Sequence, residues 1–451
     1  MKNKIKLVIT LIVMVFIDSL ALYIFNYNIN ASVKSIRLLN YNKDNETITI
    51  EVTKVGGILY DFDFDCIASS NNSTVKEKGS KNTCKLDLPL ENDYQISLEN
   101  KYKKTDSIRL MEHIDNMLAF NFEKELIYLT IDEETKITYS DKYVLPVDIV
   151  YDFYSLDDEI ATVIDDKIVG KSAGTTYIKV RGTEQALKVI VTDLITTPTL
   201  ALTKKDVVPC NQYNEEESAL LDSLLEYYVN EAGYGTRAGA VAAARFLTLQ
   251  FKYRIPYFYE HGRLVVTANS GVRYADGEGR YYKKGLYLNE NKFESILYTY
   301  LGPATWGCPL LNRESNSRYG YIPGRYLPNG LDCSGFVSWA LVNGGFDPGD
   351  VGAGENEGIY QLTDTGEFTR LTKDIIDSGK IKTGDLFNFW GHIAILIGQD
   401  DENFYIAESL PHLGGVIAKK YPKKTVMNTF EFVVFMDVFY KEDGNLTDYW
   451  K

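Results

Sequence analysis

Residues 329–341 read NGLDCSGFVSWAL and place one cysteine, Cys333, between a turn and an apolar segment. The Asn-Gly pair at the start is typical of a turn, and the apolar residues after Cys333 predict a helix. Unpaired backbone N–H groups at a helix N-terminus stabilise a thiolate, so this position predicts a reactive thiol with a lowered pKa. The alternative is an inert core cysteine, which is the commoner role of a lone cysteine in an apolar context.

A second stretch supplies a candidate base. Residues 382–398 read KTGDLFNFWGHIAILIG, which predicts a turn, a strand and then an apolar strand that begins at His392. A neutral imidazole held at the end of a buried strand can take the proton of a thiol. A lone histidine is commonly structural, but among the four histidines of the chain His392 is placed as a base would be.

Taken together, the two motifs resemble those of the NlpC-like cell-wall peptidases, a papain-like group, over about residues 302–440. The resemblance implies an α+β papain-like domain that hydrolyses γ-D-glutamyl or related amide bonds in peptidoglycan stem peptides, with no cofactor. It implies a thioester formed on Cys333, with His392 first activating the thiol and then protonating the leaving amine.

The third catalytic residue departs from the family pattern. Members usually carry a polar residue, often histidine, on the strand after that of the catalytic histidine, and here Ala407 falls at that position. Glu408 is then the nearest residue able to orient His392 and stabilise its imidazolium. Ser409 and His412 are weaker candidates, and a solvated charge at a strand end is the alternative for Glu408.

The substrate contacts also depart from the pattern. The family often has a tyrosine shortly before a Trp-Gly pair, whereas this chain has Thr305 before that pair and then an insertion rich in Arg, Asn and Tyr. The backbone N–H of the nucleophile is a further oxyanion donor. The candidate side chains for substrate or oxyanion contacts are Trp306, Tyr321, Tyr326, Asp332 and Ser334.

The N-terminus predicts a targeting segment. Three lysines lie in residues 1–6, and residues 7–25 form an apolar run of 19 residues interrupted by Thr10, Asp18 and Ser19. This length nearly spans a ~30 Å hydrocarbon core, and the lysines favour a cytoplasmic N-terminus. The segment predicts a signal anchor in the membrane, or a signal peptide cleaved near Ala31, with the remainder outside the cell.

The rest of the chain predicts further domains. Alternating apolar residues over 32–123 indicate a β-rich extracellular domain. Residues 157–163 and 167–180, within a predicted domain at 124–196, resemble group 2 bacterial immunoglobulin-like domains, which implies a spacer or an adhesive module. Helically spaced leucines after Glu215, and a second helix after Thr236 as N-cap, predict a helical and tyrosine-rich extension over 197–300.

The peptidase domain would occupy 301–445. The predicted fold class is therefore multidomain: an N-terminal membrane segment at 1–31, two β-sandwich-like domains, and a C-terminal α+β papain-like domain with a helical N-terminal extension.

Charge and cysteine content bound the partners. The net charge of -14 argues against a nucleic acid partner, because no basic patch offsets it. The five cysteines form no CxxC pair, so no metal site is predicted. Cys66 and Cys84 could pair in an oxidising exterior, and the odd total leaves at least one free thiol, for which Cys333 is the candidate.

Two other functions remain open. One is a cell-surface binding or adhesion protein with an inactive peptidase-like domain, which predicts an unreactive Cys333. The other is a peptidoglycan amidase or acyltransferase that uses the same cysteine and histidine, since a thioester intermediate serves all of these reactions.

Overall fold

The computed structural model describes fourteen stretches of the chain, and these divide into two compact units, Met1–Asp193 and Leu194–Lys451. They are called the N-terminal and C-terminal units below. The finer domain limits drawn from the sequence stay predictions. The described residues are 13–22, 31–42, 45–57, 64–90, 93–100, 105, 107–140, 148–198, 205–258, 284–289, 305–312, 322–348, 351 and 365–446.

Strands dominate the described part of the N-terminal unit, where helix is confined to residues 13–22 and α1 (Met111–Leu118). Its strands are β1 (Ala31–Asn42), β2 (Thr47–Gly56), β3 (Asp65–Ser69), β4 (Thr74–Lys78), β5 (Thr83–Pro89), β6 (Gln95–Glu99), β7 (Ile108–Arg109), β8 (Asn121–Phe122), β9 (Leu126–Thr130), β10 (Glu134–Lys136), β11 (Tyr139–Ser140), β12 (Asp148–Ile149), β13 (Phe153–Ser155), β14 (Ala161–Ile164), β15 (Lys167–Gly170), β16 (Gly174–Val180) and β17 (Ala186–Thr192).

Two four-stranded sheets, of order β12-β1-β2-β5 and β4-β3-β6-β7, share the first core of this unit. Alternation along β2 buries Ile48, Ile50 and Val52 on one face, as the period of two in the sequence predicts. A disulfide joins Cys66 on β3 to Cys84 on β5, so it links the two sheets covalently.

A second core follows in the same unit. It lies among the sheets of order β13-β16-β17-β9 and β10-β15-β14, with Ile168, Ile178 and Val189 fully buried. β17 pairs in parallel with β9, while β16 pairs antiparallel with β17. Both cores therefore have the layered arrangement of sheets that the alternating sequence predicts.

The C-terminal unit combines helices with one large sheet. Its described elements are α2 (Glu215–Ala232), α3 (Arg237–Arg245), a π-helical turn (Phe246–Gln250), β18 (Pro309–Leu311), β19 (Tyr326–Pro328), α4 (Cys333–Asn343), β20 (Glu367–Arg370), α5 (Lys373–Asp377), β21 (Leu386–Phe389), β22 (His392–Gln399), β23 (Asn403–Leu410), β24 (Gly415–Pro422), a 3₁₀ turn (Val426–Asn428), β25 (Phe432–Phe435) and α6 (Asp437–Tyr440).

The two helices predicted between residues 215 and 248 are present. α2 begins with a capping box in which the Asn214 side chain accepts from the Glu217 N–H and the Glu217 side chain accepts from the Asn214 N–H. α3 begins at the predicted N-cap, because the Thr236 side chain accepts from the Gly239 N–H.

The large sheet is antiparallel and has the order β20-β25-β21-β22-β23-β24. α4 packs against β22 and β23, and α3 packs against α4 and β22. Because α4 begins at Cys333 and β22 begins at His392, this packing brings the two sequence motifs to one place.

The turn before β21 is held by a buried arginine. Arg237, the first residue of α3, is fully buried, and its guanidinium donates to Asp385 at 2.8 Å, Asp437 at 2.5 Å and Asp443 at 2.9 Å. Asp385 belongs to the Lys-Thr-Gly-Asp turn noted in the sequence and is itself buried. This aspartate therefore joins the turn to α3 and has a structural role.

We expect Arg237→Met to lower the free energy of unfolding of the C-terminal unit by ~3–5 kcal/mol, because it leaves Asp385 buried without its cation. Urea denaturation followed by circular dichroism measures this change. Lys373→Met is the matched control, since Lys373 pairs with Asp377 on the surface and exposed pairs contribute little. Equal unfolding midpoints for the two variants would contradict the role assigned to Arg237.

The predicted fold class is wrong. The described chain is mostly strand, arranged in several sheets, and the described part of the C-terminal unit has a six-stranded antiparallel sheet, so the membrane segment and the α+β papain-like domain of that prediction are not supported. The sequence prediction took that label from two short motifs, and such motifs fix local geometry without fixing the architecture around them.

The predicted membrane segment is corrected too. Among the described residues, no helix combines the length and apolarity needed to cross a membrane. Residues 1–12 and 23–30 of the predicted segment lie outside the described ranges, and Ala31 begins β1.

Candidate active site

The cysteine sits at the first residue of α4, and its neighbours fix it there. Asp332 is the N-cap, and its Oδ1 accepts a hydrogen bond from the Gly335 N–H at 2.8 Å. The Ser334 hydroxyl lies 3.4 Å from the same oxygen. Of the candidate substrate residues, Asp332 therefore caps the helix, Ser334 donates to that cap, and both are buried.

The loop before α4 is fixed from two sides. The Leu331 N–H donates to the Pro256 carbonyl at 3.0 Å, and the Ser409 hydroxyl donates to the Leu331 carbonyl at 2.8 Å. Gly330 permits this approach, because a Cβ at that position would lie 1.8 Å from the Pro256 oxygen. The cysteine is thus anchored to β23 as well as to its own helix.

The Cys333 thiol lies against the start of β22. Its Sγ is 4.0 Å from the carbonyl oxygen of Gly391, and the backbone N–H of Ile393 also faces it. These two residues flank His392 in the sequence. The structure therefore brings the cysteine beside the backbone that carries the histidine.

Burial raises the pKa of the Cys333 thiol to about 12, and the Asp332 carboxylate raises it further, while the backbone N–H groups of Ile393, Ser334 and Cys333 partly offset both effects. The lowered pKa predicted from the helix N-terminus is therefore wrong. Desolvation of a buried thiolate outweighs the dipole and the N–H groups. The resting cysteine carries its proton, so a base must remove it during the reaction.

His392 has the contacts expected of such a base. Its Nε2 lies 2.9 Å from Glu408 Oε2, and both side chains are buried. The ring packs between aromatic neighbours, with centroid distances of 4.8 Å to Phe389 and 6.2 Å to Phe430. An ionised carboxylate accepts only, so Nε2 carries the hydrogen in the neutral ring and Nδ1 carries the lone pair.

Glu408 is completely buried, and each of its oxygens has a partner. Oε2 meets His392, and Oε1 accepts a hydrogen bond of 2.5 Å from the Tyr421 hydroxyl. Sequence reasoning missed Tyr421. The signal was strand alternation: Tyr421 pairs with Phe404, four residues before Glu408, so both side chains lie on one face of the sheet.

The remaining candidates lie elsewhere. Trp306 is buried, and its ring centroid lies 6.0 Å from that of Trp339 on α4, so it packs in the core behind the helix. Tyr326 is 65% exposed on β19, while Tyr321 lies outside the described residues. His412 is exposed in the turn after β23.

The cysteines leave one free thiol. Besides the pair described above, Cys210 and Cys308 form a disulfide, and Cys333 is free. The second bridge joins residues 98 positions apart, so its pairing could not be read from spacing. In the described ranges no cluster of three or more His, Cys, Asp or Glu side chains could hold a metal ion.

No protein-family model matches this chain, and a search of curated proteins finds no match. The family resemblance therefore stays a prediction based on the two motifs. Any functional proposal therefore depends on the geometry of Cys333, His392 and Glu408.

Proposed function

We propose that this protein is a cysteine hydrolase of amide bonds in peptidoglycan stem peptides, of the γ-D-glutamyl type. Cys333 is the nucleophile, His392 the base and Glu408 the residue that orients the base. One observation supports the proposal above the others: a free thiol at a helix N-terminus faces the backbone on both sides of a histidine whose Nε2 is bound by a buried carboxylate.

In the first half of the reaction, Sγ of Cys333 attacks the amide carbonyl carbon while the thiol proton moves to Nδ1 of His392. The carbonyl oxygen gains the negative charge, for which the backbone N–H of Cys333 is a donor. The carbon–nitrogen bond then breaks, the nitrogen takes the proton from His392, and a thioester remains on Cys333.

In the second half, His392 takes a proton from water as the water oxygen attacks the thioester carbonyl. The carbon–sulfur bond breaks, the sulfur recovers a proton from His392, and a carboxylic acid leaves. Glu408 stabilises the imidazolium in both halves, because its carboxylate accepts from Nε2 throughout.

An extracytoplasmic location supports this substrate. Disulfides persist in oxidising compartments and are rare in the cytosol, and this chain forms two, one in each unit. Peptidoglycan lies in the same compartment. The two sandwich-like cores of the N-terminal unit are then spacers or adhesive modules that present the C-terminal unit to the wall.

The test is incubation of the whole chain with purified peptidoglycan, followed by quantification of new amino groups and mass spectrometry of the released fragments. New amines and peptide fragments that end at D-glutamyl residues support the proposal, and the fragment masses name the bond. A Cys333 peptide that carries a stem-peptide mass after acid quenching identifies the thioester. If neither product forms after prolonged incubation with the folded protein, the protein is not a peptidoglycan hydrolase.

One observation favours a second candidate function. The Cys333 thiol is buried and its pKa is raised to about 12, as in a cysteine that does no chemistry. In that case the chain is a surface-binding protein that retains the arrangement without the activity. Sedimentation with peptidoglycan, combined with failure of iodoacetamide to alkylate Cys333 in the folded protein, identifies this alternative.

A further inference from the structure

We infer that Tyr421 is a positioning residue that orients the Glu408 carboxylate and weakens its attraction for the protonated form of His392. The inference rests on the proposed catalytic pair of Cys333 and His392. It adds a fourth residue that the sequence motifs do not contain and that acts without touching the substrate.

The geometry defines a line of contacts. The Tyr421 hydroxyl donates to Glu408 Oε1 at 2.5 Å, and the other oxygen of the same carboxylate, Oε2, lies 2.9 Å from His392 Nε2. Tyr421, Glu408 and His392 come from three adjacent strands, β24, β23 and β22. Because both carboxylate oxygens are engaged, Glu408 is held in one orientation.

A shared aromatic neighbour keeps the three groups aligned. The Phe430 ring meets the Tyr421 ring edge-on at a centroid distance of 5.3 Å and stacks on His392 at 6.2 Å. Phe430 is fully buried. The tyrosine and the histidine are therefore fixed by the same side chain, and neither ring can tilt without displacing it.

Several charged or titratable groups face this line. Lys419 lies over the Tyr421 ring at 4.8 Å from its centroid, and the Cys333 thiol at the start of α4 lies against the backbone beside His392, with the charge of Asp332 next to that thiol. Burial, followed by the charge of Glu408, raises the pKa of the Tyr421 phenol well above its usual range. Tyr421 therefore keeps its proton and stays a hydrogen-bond donor at neutral pH.

The sign of the effect follows from this arrangement. The phenol withdraws negative charge from Glu408, which weakens the attraction between the carboxylate and the imidazolium. Removing the hydroxyl makes Glu408 more basic and favours protonated His392. Since protonated His392 cannot accept the thiol proton, the pH at which activity appears should rise.

The experiment measures the rate at which iodoacetamide alkylates Cys333 in the whole chain as a function of pH. This reaction reports on the thiol without any peptidoglycan substrate. We expect Tyr421→Phe to move the ascending limb of this profile up by about 1 pH unit. Tyr405→Phe is the matched control, because it removes a buried phenol that donates to Asp400 at 2.6 Å away from the site. Its profile should overlay that of the unmodified chain.

If the Tyr421→Phe profile coincides with the profiles of the unmodified chain and of Tyr405→Phe, the inference is wrong. Replacing Tyr421 by 3-fluorotyrosine, introduced at that codon alone, keeps the fold and strengthens the donor, so it should move the limb to lower pH. No shift with this variant would also overturn the inference. If the reactivity of the Cys333 thiol in the unmodified chain does not depend on His392, the proposed function is wrong. Failure of the inference about Tyr421 is therefore distinguishable from failure of the proposed function.

Discussion

Replacing Cys333 by alanine should lower the release of amines from peptidoglycan by ~10⁴-fold or more, because the acyl intermediate forms on its sulfur atom. The residual rate would come from substrate binding and oxyanion contacts alone. The side chain is small, and alanine removes only its sulfur atom, so α4 should keep its start. Colorimetric amine release under single-turnover conditions measures the loss, and circular dichroism checks the fold.

Cys333→Ser is the companion variant. It keeps a nucleophile of similar shape with a much weaker tendency to ionise, so it should retain less than ~1% of the activity. If the Cys333→Ala variant kept full activity, Cys333 would not be the nucleophile and another residue would form the intermediate. Partial activity of the Cys333→Ser variant together with no activity of the Cys333→Ala variant is the pattern expected of nucleophilic catalysis.

Replacing Glu408 by glutamine should lower kcat/KM by ~10³–10⁴-fold without loss of the fold. The amide keeps an oxygen to accept from Tyr421 and places an N–H₂ group against Nε2 of His392. Two donors cannot share that contact, so the proton of the neutral ring moves to Nδ1. The nitrogen that should take the thiol proton then has no lone pair.

Glu402→Gln is the control for the loss of a negative charge. Glu402 is exposed in the turn between β22 and β23. Its replacement by glutamine removes the same charge from the same hairpin. Its kcat/KM should equal that of the unmodified chain. If Glu408→Gln were as active as Glu402→Gln, the carboxylate would be a buried structural group, and another residue would orient His392.

Local patterns predicted much of the secondary structure. The alternation at Ile48, Ile50 and Val52 predicted a strand with one buried face, and the helically spaced leucines after Glu215 predicted α2. These features depend on neighbours within a few residues, so a single sequence contains the information needed to find them.

The candidate site was predictable only in part. Glu408 could be chosen because strand order places it near His392, and the two side chains do meet. Tyr421 and Arg237 escaped notice because their partners lie on other elements: the arginine is 148 positions from Asp385. The pKa of Cys333 was misjudged for a similar reason, since the position of a residue on a helix does not reveal how deeply the surrounding elements bury it.

The architecture escaped sequence reasoning for a different reason. Short motifs around a cysteine and a histidine specify a turn, a helix start and a strand start, but they do not specify how many strands pair or in which order. The order β20-β25-β21-β22-β23-β24 joins strands that are distant in sequence, such as β20 and β25. Pairing of this kind is set by the whole core and leaves no local signal.

The bond between Cys66 and Cys84 also has a mechanical consequence. The two cysteines are 18 residues apart and enclose β4, so tension along the chain passes through the sulfur atoms and bypasses the enclosed segment. If the sheets around them separated under load, these residues could not be pulled straight, and the extension of the unravelled chain would be shorter by ~60 Å. A chain held at both ends and stretched would therefore lengthen less and recoil from a more compact state.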